Sequence, residues 1–452
     1  MPLIGGACTI EKIHTQSIKL VESYEDVQNL CFLSISHSMT WPTVVITGAN
    51  SGVGFGICQR LLCQLSEKTP PDTLIKPQEL PGSQEKDDIE GDRFVLPCEG
   101  ITLIMACRSV QRAEVARQKL LQILDKHVEK LTSSPNYDGH AELFRKNVRI
   151  VIHPVDLSSL ETIPKFVQEL EKNYPYVSHL ICNAGIAPFT AIDWPSCIHQ
   201  LLTNPLAALT TPRYYRQSWG EVSQDGYGYV WQCNVFGHYT LYKGLYPLLS
   251  SSKYGHHSRV IWTSSLESKK SYDAKDWQLK ETRDPYGSSK YQTELISLEL
   301  DRRALHDIDA SKRVRHFTAH PGVTHTNIDL NLISPLLHYL KHFVFYLARW
   351  IGSPNHPIAL EKGAVSVVWL SIISLSTLTV FCASNKGFKS NSSSNGHGSV
   401  RPALKFAAQT DWRGNSCVGV TEIEGGEAHS EEAKELVDHC ESLYQSIETA
   451  RT

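Results

Sequence analysis

Tyr286 and Lys290 stand four residues apart, a spacing that places both side chains on the same face of a helix. A free phenol has a pKa of about 10, and a nearby ammonium group favours its ionised form. Together the two groups can deliver a proton to an oxygen atom that becomes negative during a reaction. A tyrosine and a lysine at this spacing also occur by chance as an exposed pair, so the interpretation depends on what lies upstream.

A glycine-rich turn near the N-terminus provides the strongest upstream signal. The apolar residues 43–46 precede Thr47-Gly48-Ala49-Asn50-Ser51-Gly52-Val53-Gly54, and a helical pattern follows. Backbone N–H groups at the start of a helix can hydrogen-bond an anion where no Cβ intervenes. The turn therefore predicts a site for the pyrophosphate of a dinucleotide, although a tight strand-to-helix turn without a ligand is the alternative. The predicted contacts are Gly48, Ser51, Gly52, Val53 and Gly54.

Further motifs follow in order along the chain. Asn183-Ala184-Gly185 follows a strand-like segment, and Ser264-Ser265 ends another. Tyr286-Gly287-Ser288-Ser289-Lys290 comes next, and His320-Pro321-Gly322-Val323-Thr324 completes the series. With the glycine-rich turn, these motifs resemble the short-chain dehydrogenase/reductase family over residues 43–327. The resemblance implies an α/β fold with a doubly wound parallel sheet of the Rossmann type.

The resemblance also implies a role for each motif residue. Reduction of a ketone needs a proton for the emerging alkoxide, and Tyr286 is the implied acid. Lys290 holds the nicotinamide ribose, and Ser265, with Ser264 as the close alternative, polarises the substrate carbonyl. Asn234 matches a helix asparagine that supports a proton-relay water, although a capping or core amide is its alternative. The implied cofactor contacts outside the glycine-rich turn are Asn183, Gly185, Tyr286, Lys290, Val323 and Thr324.

The residue after the second strand bears on the choice of cofactor. Residues 101–107 have the apolar pattern of that strand, and Arg108 follows them. An acidic residue at this point would bind the ribose 2′-OH of NAD, whereas an arginine can bind the extra phosphate of NADP. We therefore expect NADP(H), with Arg112 as an alternative contact. Asp156 fits the family's adenine-contacting aspartate, and capping of the next helix at Ser158 is its alternative role.

The motifs span one domain, although 452 residues could hold two or three. Residues 1–38 lack the features of a signal peptide and are expected to be an unstructured extension, with an amphipathic arm as the alternative. The domain then covers residues 39–452. We expect a flexible excursion at 66–100, an aromatic substrate wall or partner surface at 190–229 and a loop over the active site at 266–285. Residues 384–398 are rich in Ser, Asn and Gly and are expected to be disordered.

Two apolar segments follow the motifs. Residues 335–351 have an apolar helical pattern with aromatic and cationic side chains, which is typical of a helix in a membrane interface or over a lipophilic pocket. Residues 363–383 contain no charged side chain and are long enough to cross a membrane. Several Ser and Thr residues within that run argue against exposure to lipid. We therefore favour a helix packed on the sheet.

Charge and cysteine content exclude other classes of function. The 44 basic and 47 acidic side chains leave a net charge of −3, which provides no electrostatic footprint for nucleic acid. The twelve cysteines include no C-x-x-C pair, as expected for reduced thiols that face the cytosol. His338 and His342 stand one helical turn apart and could share a metal ion. Because no third ligand is apparent nearby, we expect no metal site.

Three stretches indicate one branch of the family. Ala106-Cys107-Arg108, residues 264–291 and residues 411–444 resemble the 3-keto sterol reductases, whose animal relatives include type 7 17β-hydroxysteroid dehydrogenase. The resemblance implies NADPH-dependent reduction, in sterol biosynthesis, of the 3-ketone left after C-4 demethylation to a 3β-alcohol. The long insertions favour an enzyme of ergosterol synthesis.

The same resemblance implies a location and partners. It implies the endoplasmic reticulum membrane or lipid droplets, facing the cytosol, and association with the C-4 demethylation enzymes and their scaffold. One alternative is a reductase of another lipophilic carbonyl, such as retinal or a steroid 17-ketone. The other is a non-catalytic NADP-binding scaffold, against which the intact Ser265, Tyr286 and Lys290 argue.

Overall fold

Apolar, β-branched segments of the sequence form the strands. The computed structural model describes residues 41–75, 95–252, 254, 257–307, 313–325, 332, 335–375, 377–378, 403–425 and 430–451. The strands are β1 (Thr43–Thr47), β2 (Ile101–Cys107), β3 (Val148–Pro154), β4 (His179–Cys182), β5 (Phe189–Ile192), β6 (Tyr215–Gln217), β7 (Ser258–Thr263), β8 (Val314–His320), β9 (Leu404–Thr410) and β10 (Ser416–Glu422).

Eight of these strands form one sheet in the order β10-β9-β8-β7-β4-β1-β2-β3. Neighbouring strands are parallel except β9 and β10, which are antiparallel. The predicted doubly wound parallel sheet is therefore confirmed, with one antiparallel strand added at its edge. The strand order reverses between β1 and β4, and ligands of such folds bind beside that point at the carboxyl ends of the strands.

Helices cover both faces of the sheet. They are α1 (Gly52–Leu65), α2 (Val110–Thr132), α3 (His140–Lys146), α4 (Thr162–Asn173), α5 (Trp194–Thr203), α6 (Pro205–Thr210), α7 (Gly237–Ser250), α8 (Pro285–His306), α9 (Pro335–Trp350), α10 (Leu360–Gly363), α11 (Val365–Ile372) and α12 (Ser430–Arg451). A π-helical turn, Gln232–Phe236, leads into α7. One apolar core lies between the sheet and α1, α2 and α11, and the other lies beneath α4, α7, α8 and α12.

Parts of the predicted insertions have defined structure. Residues 190–229 contain α5, α6, β6 and most of β5, and these two strands form a separate antiparallel sheet. Within 266–285, Trp277 packs edge-on against Trp231 with ring centroids 5.0 Å apart. Within 66–100, Asp72 is buried and accepts a hydrogen bond from Arg60 at 2.6 Å. Residues 1–38, 76–94 and 384–398 lie outside the described residues.

The two apolar segments have different environments. Helix α9 exposes much of its apolar surface, whereas every residue of α11 is buried against the sheet. The interpretation of a sheet-packed helix is therefore confirmed for residues 365–372. Among the helices that the structure describes, none is both long and apolar enough to cross a membrane.

Candidate active site

A cavity of about 580 Å³ opens where β1, β4 and β7 end. It brings together residues from every motif that the sequence singled out. The predicted residues in its lining, alternatives included, are Gly48, Ser51, Gly52, Val53, Arg108, Arg112, Asp156, Asn183, Gly185, Ser264, Ser265, Tyr286, Lys290, Val323 and Thr324. Gly54 and Asn234 lie outside the lining and contact the residues that form it.

Two glycines of the glycine-rich turn lie where a side chain would not fit. Gly48 has a φ of +66°, and a Cβ added to Gly54 would lie 2.4 Å from the Gly48 carbonyl oxygen. Thr47 Oγ1 accepts hydrogen bonds from the backbone N–H groups of Asn183 at 2.8 Å and Ala184 at 2.9 Å. The start of α1 therefore borders the cavity with glycine backbone that no side chain covers. Backbone N–H groups at such a helix start fit the pyrophosphate of a dinucleotide.

Asn234 fixes the loop after β4 from behind. Its side-chain oxygen accepts from Ile186 N at 2.8 Å, and its amide nitrogen donates to Ile186 O at 2.9 Å. The same nitrogen donates to Ser289 Oγ at 3.0 Å, which connects the loop to α8. Asn234 is itself buried. These contacts make Asn234 a structural amide, and its role in a proton relay stays a prediction.

Two arginines border the cavity at the end of β2. Arg108 is exposed beside Tyr229, and Arg112 lies in the first turn of α2. Both cations are placed to meet an anionic group at this end of the cavity. Asp156 also lines the cavity, and its Oδ1 accepts from Ser158 N at 3.0 Å and Ser158 Oγ at 2.7 Å. Asp156 therefore borders the cavity, but the alternative capping role is wrong, because the next helix, α4, begins only at Thr162 and its N-cap residue is Glu161.

Tyr286 and Lys290 enter the cavity from the first turns of α8. Lys290 Nζ donates to the Thr263 carbonyl oxygen at 2.9 Å and lies 5.9 Å from the centre of the Tyr286 ring. Burial lowers the pKa of Lys290 to about 8, so its ammonium form predominates at pH 7. Burial, and then the Glu267 carboxylate, raise the pKa of Tyr286 above its usual value. The pKa of Tyr286 is therefore raised rather than lowered, and the phenol keeps its proton at neutral pH.

The two adjacent serines occupy different environments. Ser264 is buried, and its Oγ donates to Glu294 Oε1 at 2.5 Å, where Lys405 Nζ also donates at 2.8 Å. Both serines line the cavity. The Ser265 hydroxyl accepts a hydrogen bond from Glu267 N at 3.1 Å and lies beside Tyr286. Because the Ser264 hydroxyl already donates to Glu294, Ser265 is the serine whose hydroxyl can donate to a carbonyl oxygen beside Tyr286.

The loop after β8 closes another side of the cavity. Val323 N donates to Asn355 O at 2.7 Å, and Ile358 N donates to Val323 O at 3.0 Å. Ile358 adopts a positive φ of 66°, a conformation that β-branched residues rarely take. Val323 and Thr324 are thus held at the cavity by a backbone pairing with residues far along the chain.

Sequence reasoning did not identify several lining residues individually. Phe189 stacks on Tyr215 with centroids 4.6 Å apart and meets Tyr286 edge-on at 5.6 Å. Lys341 and Phe345, from α9, complete this apolar side of the cavity. The aromatic density of residues 190–229 was the signal for Tyr215, whereas Phe189 lies just before that segment. The apolar pattern of residues 335–351 was the signal for Lys341 and Phe345.

Curated relatives share most of this chain. It is 29% identical to 3-keto-steroid reductase erg27 of Schizosaccharomyces pombe, covering 73% of this chain and 81% of the relative. It is 30% identical to 3-keto-steroid reductase erg27 of Aspergillus fumigatus, covering 73% of this chain and 72% of the relative. A rat protein named 3-keto-steroid reductase/17-beta-hydroxysteroid dehydrogenase 7 is 27% identical over 77% of this chain and 87% of its own length. No protein-family model matches the chain. The similarity to its relatives shows that this chain belongs to the 3-keto-steroid reductase family of short-chain dehydrogenases/reductases.

Proposed function

We propose that the protein reduces the 3-keto group of a sterol to a 3β-alcohol and uses NADPH. The observation that carries the proposal is the placement of Ser265, Tyr286 and Lys290 in one cavity beside the bare backbone of the glycine-rich turn. The names of the relatives support the substrate class. The arginines after β2 support NADPH, because a guanidinium group can bind its 2′-phosphate.

Three residues of the cavity have separate roles in such a reduction. When bound, NADPH supplies the hydride that reaches the carbonyl carbon. Ser265 donates a hydrogen bond to the carbonyl oxygen, which polarises the bond, and Tyr286 gives its phenolic proton to that oxygen as negative charge develops. The raised pKa of Tyr286 keeps the proton available at neutral pH. Lys290, charged at pH 7, stabilises the phenolate that remains.

Substitution of the acid tests the proposal. Tyr286→Phe keeps the ring that packs against Phe189 but removes the proton donor. We expect reduction of a 3-keto sterol to fall by about 10²–10⁴. Binding of NADPH, followed by its fluorescence, should persist in the variant. A variant that keeps more than about a tenth of wild-type turnover would place the acid elsewhere.

A substrate panel separates this function from its alternatives. The purified protein is incubated with NADPH and, separately, a C-4-demethylated 3-keto sterol, a steroid 17-ketone and retinal. Preferred turnover of the 3-keto sterol supports the proposal, whereas preference for another carbonyl indicates a different lipophilic substrate. NADPH binding without turnover of any of them indicates a non-catalytic scaffold.

We also propose that the apolar surface beside the cavity contacts a membrane. Helix α9 exposes Tyr339, Phe343 and Trp350 to 73%, 57% and 57%, and it lies beside α6. Helices α5 and α6 continue this surface with exposed apolar side chains. These are Trp194, Ile198, Leu201, Leu202 and Leu206. An apolar face of this kind beside a substrate cavity suits a lipid interface from which a sterol can enter.

Sedimentation with liposomes tests the membrane contact. A Tyr339→Glu/Phe343→Glu double variant should lose most of its binding to phosphatidylcholine vesicles, because both charges would enter the apolar interface. Leu143→Glu is the matched control, since Leu143 is exposed on α3, which contributes nothing to the cavity lining. Equal binding of the wild type and both variants would refute a contact through α9.

The resemblance supports a location and partners for the protein. We propose that it resides, facing the cytosol, on the endoplasmic reticulum membrane or on lipid droplets, with the C-4 demethylation enzymes and their scaffold. Fluorescence microscopy of the tagged protein tests the location. Affinity purification from detergent extracts, with Tyr339→Glu/Phe343→Glu as a comparison, tests the partners. A diffuse cytosolic signal would contradict the location, and the absence of those enzymes from the purified material would contradict the partners.

A further inference from the structure

Three histidines meet at the edge of the cavity. His338 and His342 lie one turn apart on α9, as the sequence predicted, and the fold adds His325 from the loop after β8. Their nitrogen ligand atoms all lie within 4.8 Å of one another. The ring centroids are 3.9 Å apart for His325 and His342, 4.4 Å for His338 and His342, and 5.0 Å for His325 and His338.

From this arrangement we propose that His325, His338 and His342 bind one Zn²⁺ ion. Zinc–imidazole bonds of about 2.0–2.1 Å require ligand nitrogens a little over about 3 Å apart in a tetrahedron. His325 Nδ1 and His342 Nε2 are hydrogen-bonded to each other, and an ion bound between them would replace that contact. Three nitrogen donors suit Zn²⁺ and related transition metals, whereas Ca²⁺ and Mg²⁺ require oxygen donors.

The cluster has two features expected of a metal site. His338 Nδ1 is buried and has no hydrogen-bond partner among the described residues, so it can serve as a ligand atom at no cost in existing bonds. His325 is held in place by its backbone, because its N–H group donates to Ile358 O at 2.7 Å. A fixed loop ligand and an i,i+4 helical pair together provide a preorganised three-histidine site. Its fourth position would take water or a fourth ligand.

The three histidines lie where a bound ion would connect two elements of the cavity wall. His325 directly follows Thr324, which lines the cavity, and His342 follows Lys341, which lines it from α9. Phe345, one turn further along α9, also lines the cavity. An ion bound to all three histidines would therefore fix α9 against the loop after β8. This would hold one wall of the cavity in place without taking part in the chemistry at Tyr286.

Metal titration tests the proposal directly. The full-length protein, purified without a polyhistidine tag and treated with a chelator, is titrated with Zn²⁺ against a competing chromophoric chelator. Co²⁺ is used in parallel, because tetrahedral Co²⁺ gives characteristic visible absorption. We expect one ion per chain. The substitutions His325→Ala, His338→Ala and His342→Ala should each weaken binding by about 100-fold or more, beyond the 10–100-fold typical for partners that only orient a ligand.

The control is His199→Ala, which removes an exposed histidine on α5 away from the cluster. It should bind Zn²⁺ like the wild type. Circular dichroism verifies that each variant is folded, and Zn²⁺ should raise the Tm of the wild type and of His199→Ala but not of His342→Ala. Less than one ion per chain at saturation, or equal affinity in the wild type and all three cluster variants, would overturn the proposal.

Discussion

The two neighbouring serines allow catalysis and stability to be separated by single substitutions. Both serines line the cavity, but Ser265 lies beside Tyr286, whereas Ser264 is buried and donates to Glu294. We therefore expect Ser265→Ala to lower kcat and Ser264→Ala to lower the free energy of unfolding. Each variant serves as the control for the other, because both lose the same hydroxyl group from adjacent positions.

The magnitudes follow from the partner that each hydroxyl loses. Removal of one donor to a developing oxyanion costs about 10²–10³ in kcat, which is our expectation for Ser265→Ala. Removal of a hydrogen bond to a charged group costs about 1.5–3 kcal/mol, which is our expectation for the unfolding free energy of Ser264→Ala. In a domain of this size, that loss lowers the Tm by about 2–4 °C. Lys405 still pairs with Glu294 in the variant, so its kcat should stay within about threefold of the wild type.

The assay combines 3-keto sterol turnover at saturating NADPH with thermal unfolding of the same preparations. The expected result is a crossed pattern in which one variant loses activity and the other loses stability. If Ser264→Ala lost as much activity as Ser265→Ala while its Tm stayed unchanged, Ser264 would be the catalytic serine. The assignment of Ser265 would then be wrong.

Three other perturbations have calculable outcomes. Arg108→Ala should weaken NADPH binding by about 10- to 150-fold, because a charge-assisted contact to the 2′-phosphate contributes about 1.5–3 kcal/mol. NADH binding should be nearly unaffected. Equal losses of affinity for both cofactors in fluorescence titrations would show that Arg108 has a structural role. Gly54→Ala should lower the free energy of unfolding by about 1–3 kcal/mol and weaken NADPH binding, because the added Cβ would lie 2.4 Å from Gly48 O. An unchanged Tm would show that the turn can move to accommodate the Cβ. The free energy of unfolding, measured with denaturant, should fall below pH 6.5, because the unfolded chain binds protons at histidines that stay neutral in the folded protein. Each such histidine lowers it by about 1.4 kcal/mol per pH unit. A free energy of unfolding that stays constant from pH 6.5 to 5 would contradict this. Burial lowers the pKa of these histidines to about 3 or about 4: His179, His238, His316 and His320.

The sequence predicted the elements whose signals are local. A strand, a glycine-rich turn and a helix start within residues 43–56 are encoded by neighbouring residues, and the structure contains them there. The motifs also predicted which strand ends would meet, because parallel strands bring their carboxyl ends to one edge of the sheet. Spacing alone, however, did not distinguish a cavity contact from a packing contact. Gly54 and Asn234 support the cavity from outside its lining.

The remaining features depend on residues that are distant in sequence. The environments of Ser264 and Ser265 differ because Glu294 and Lys405 approach one of them from α8 and β9. His325 joins His338 and His342 only because the loop after β8 lies against α9. Such long-range pairings carry no local periodicity. The assignments of cofactor and catalytic residues therefore stay predictions until the substitutions are measured.

The π-helical turn Gln232–Phe236 has a consequence for how this protein can be altered. A π-helical turn is the trace of one extra residue accommodated in a helix, and each residue of an α-helix turns the chain by about 100°. Deleting one residue from this turn would allow a regular helix, yet it would rotate Asn234 away from Ile186 or shift α7 out of its packing. Chimaeras and alignments that join this helix to a regular one must therefore count residues from Asn234 rather than from the helix ends. A recombinant protein spliced one residue out of register would contain every sequence motif and still have an unsupported loop after β4.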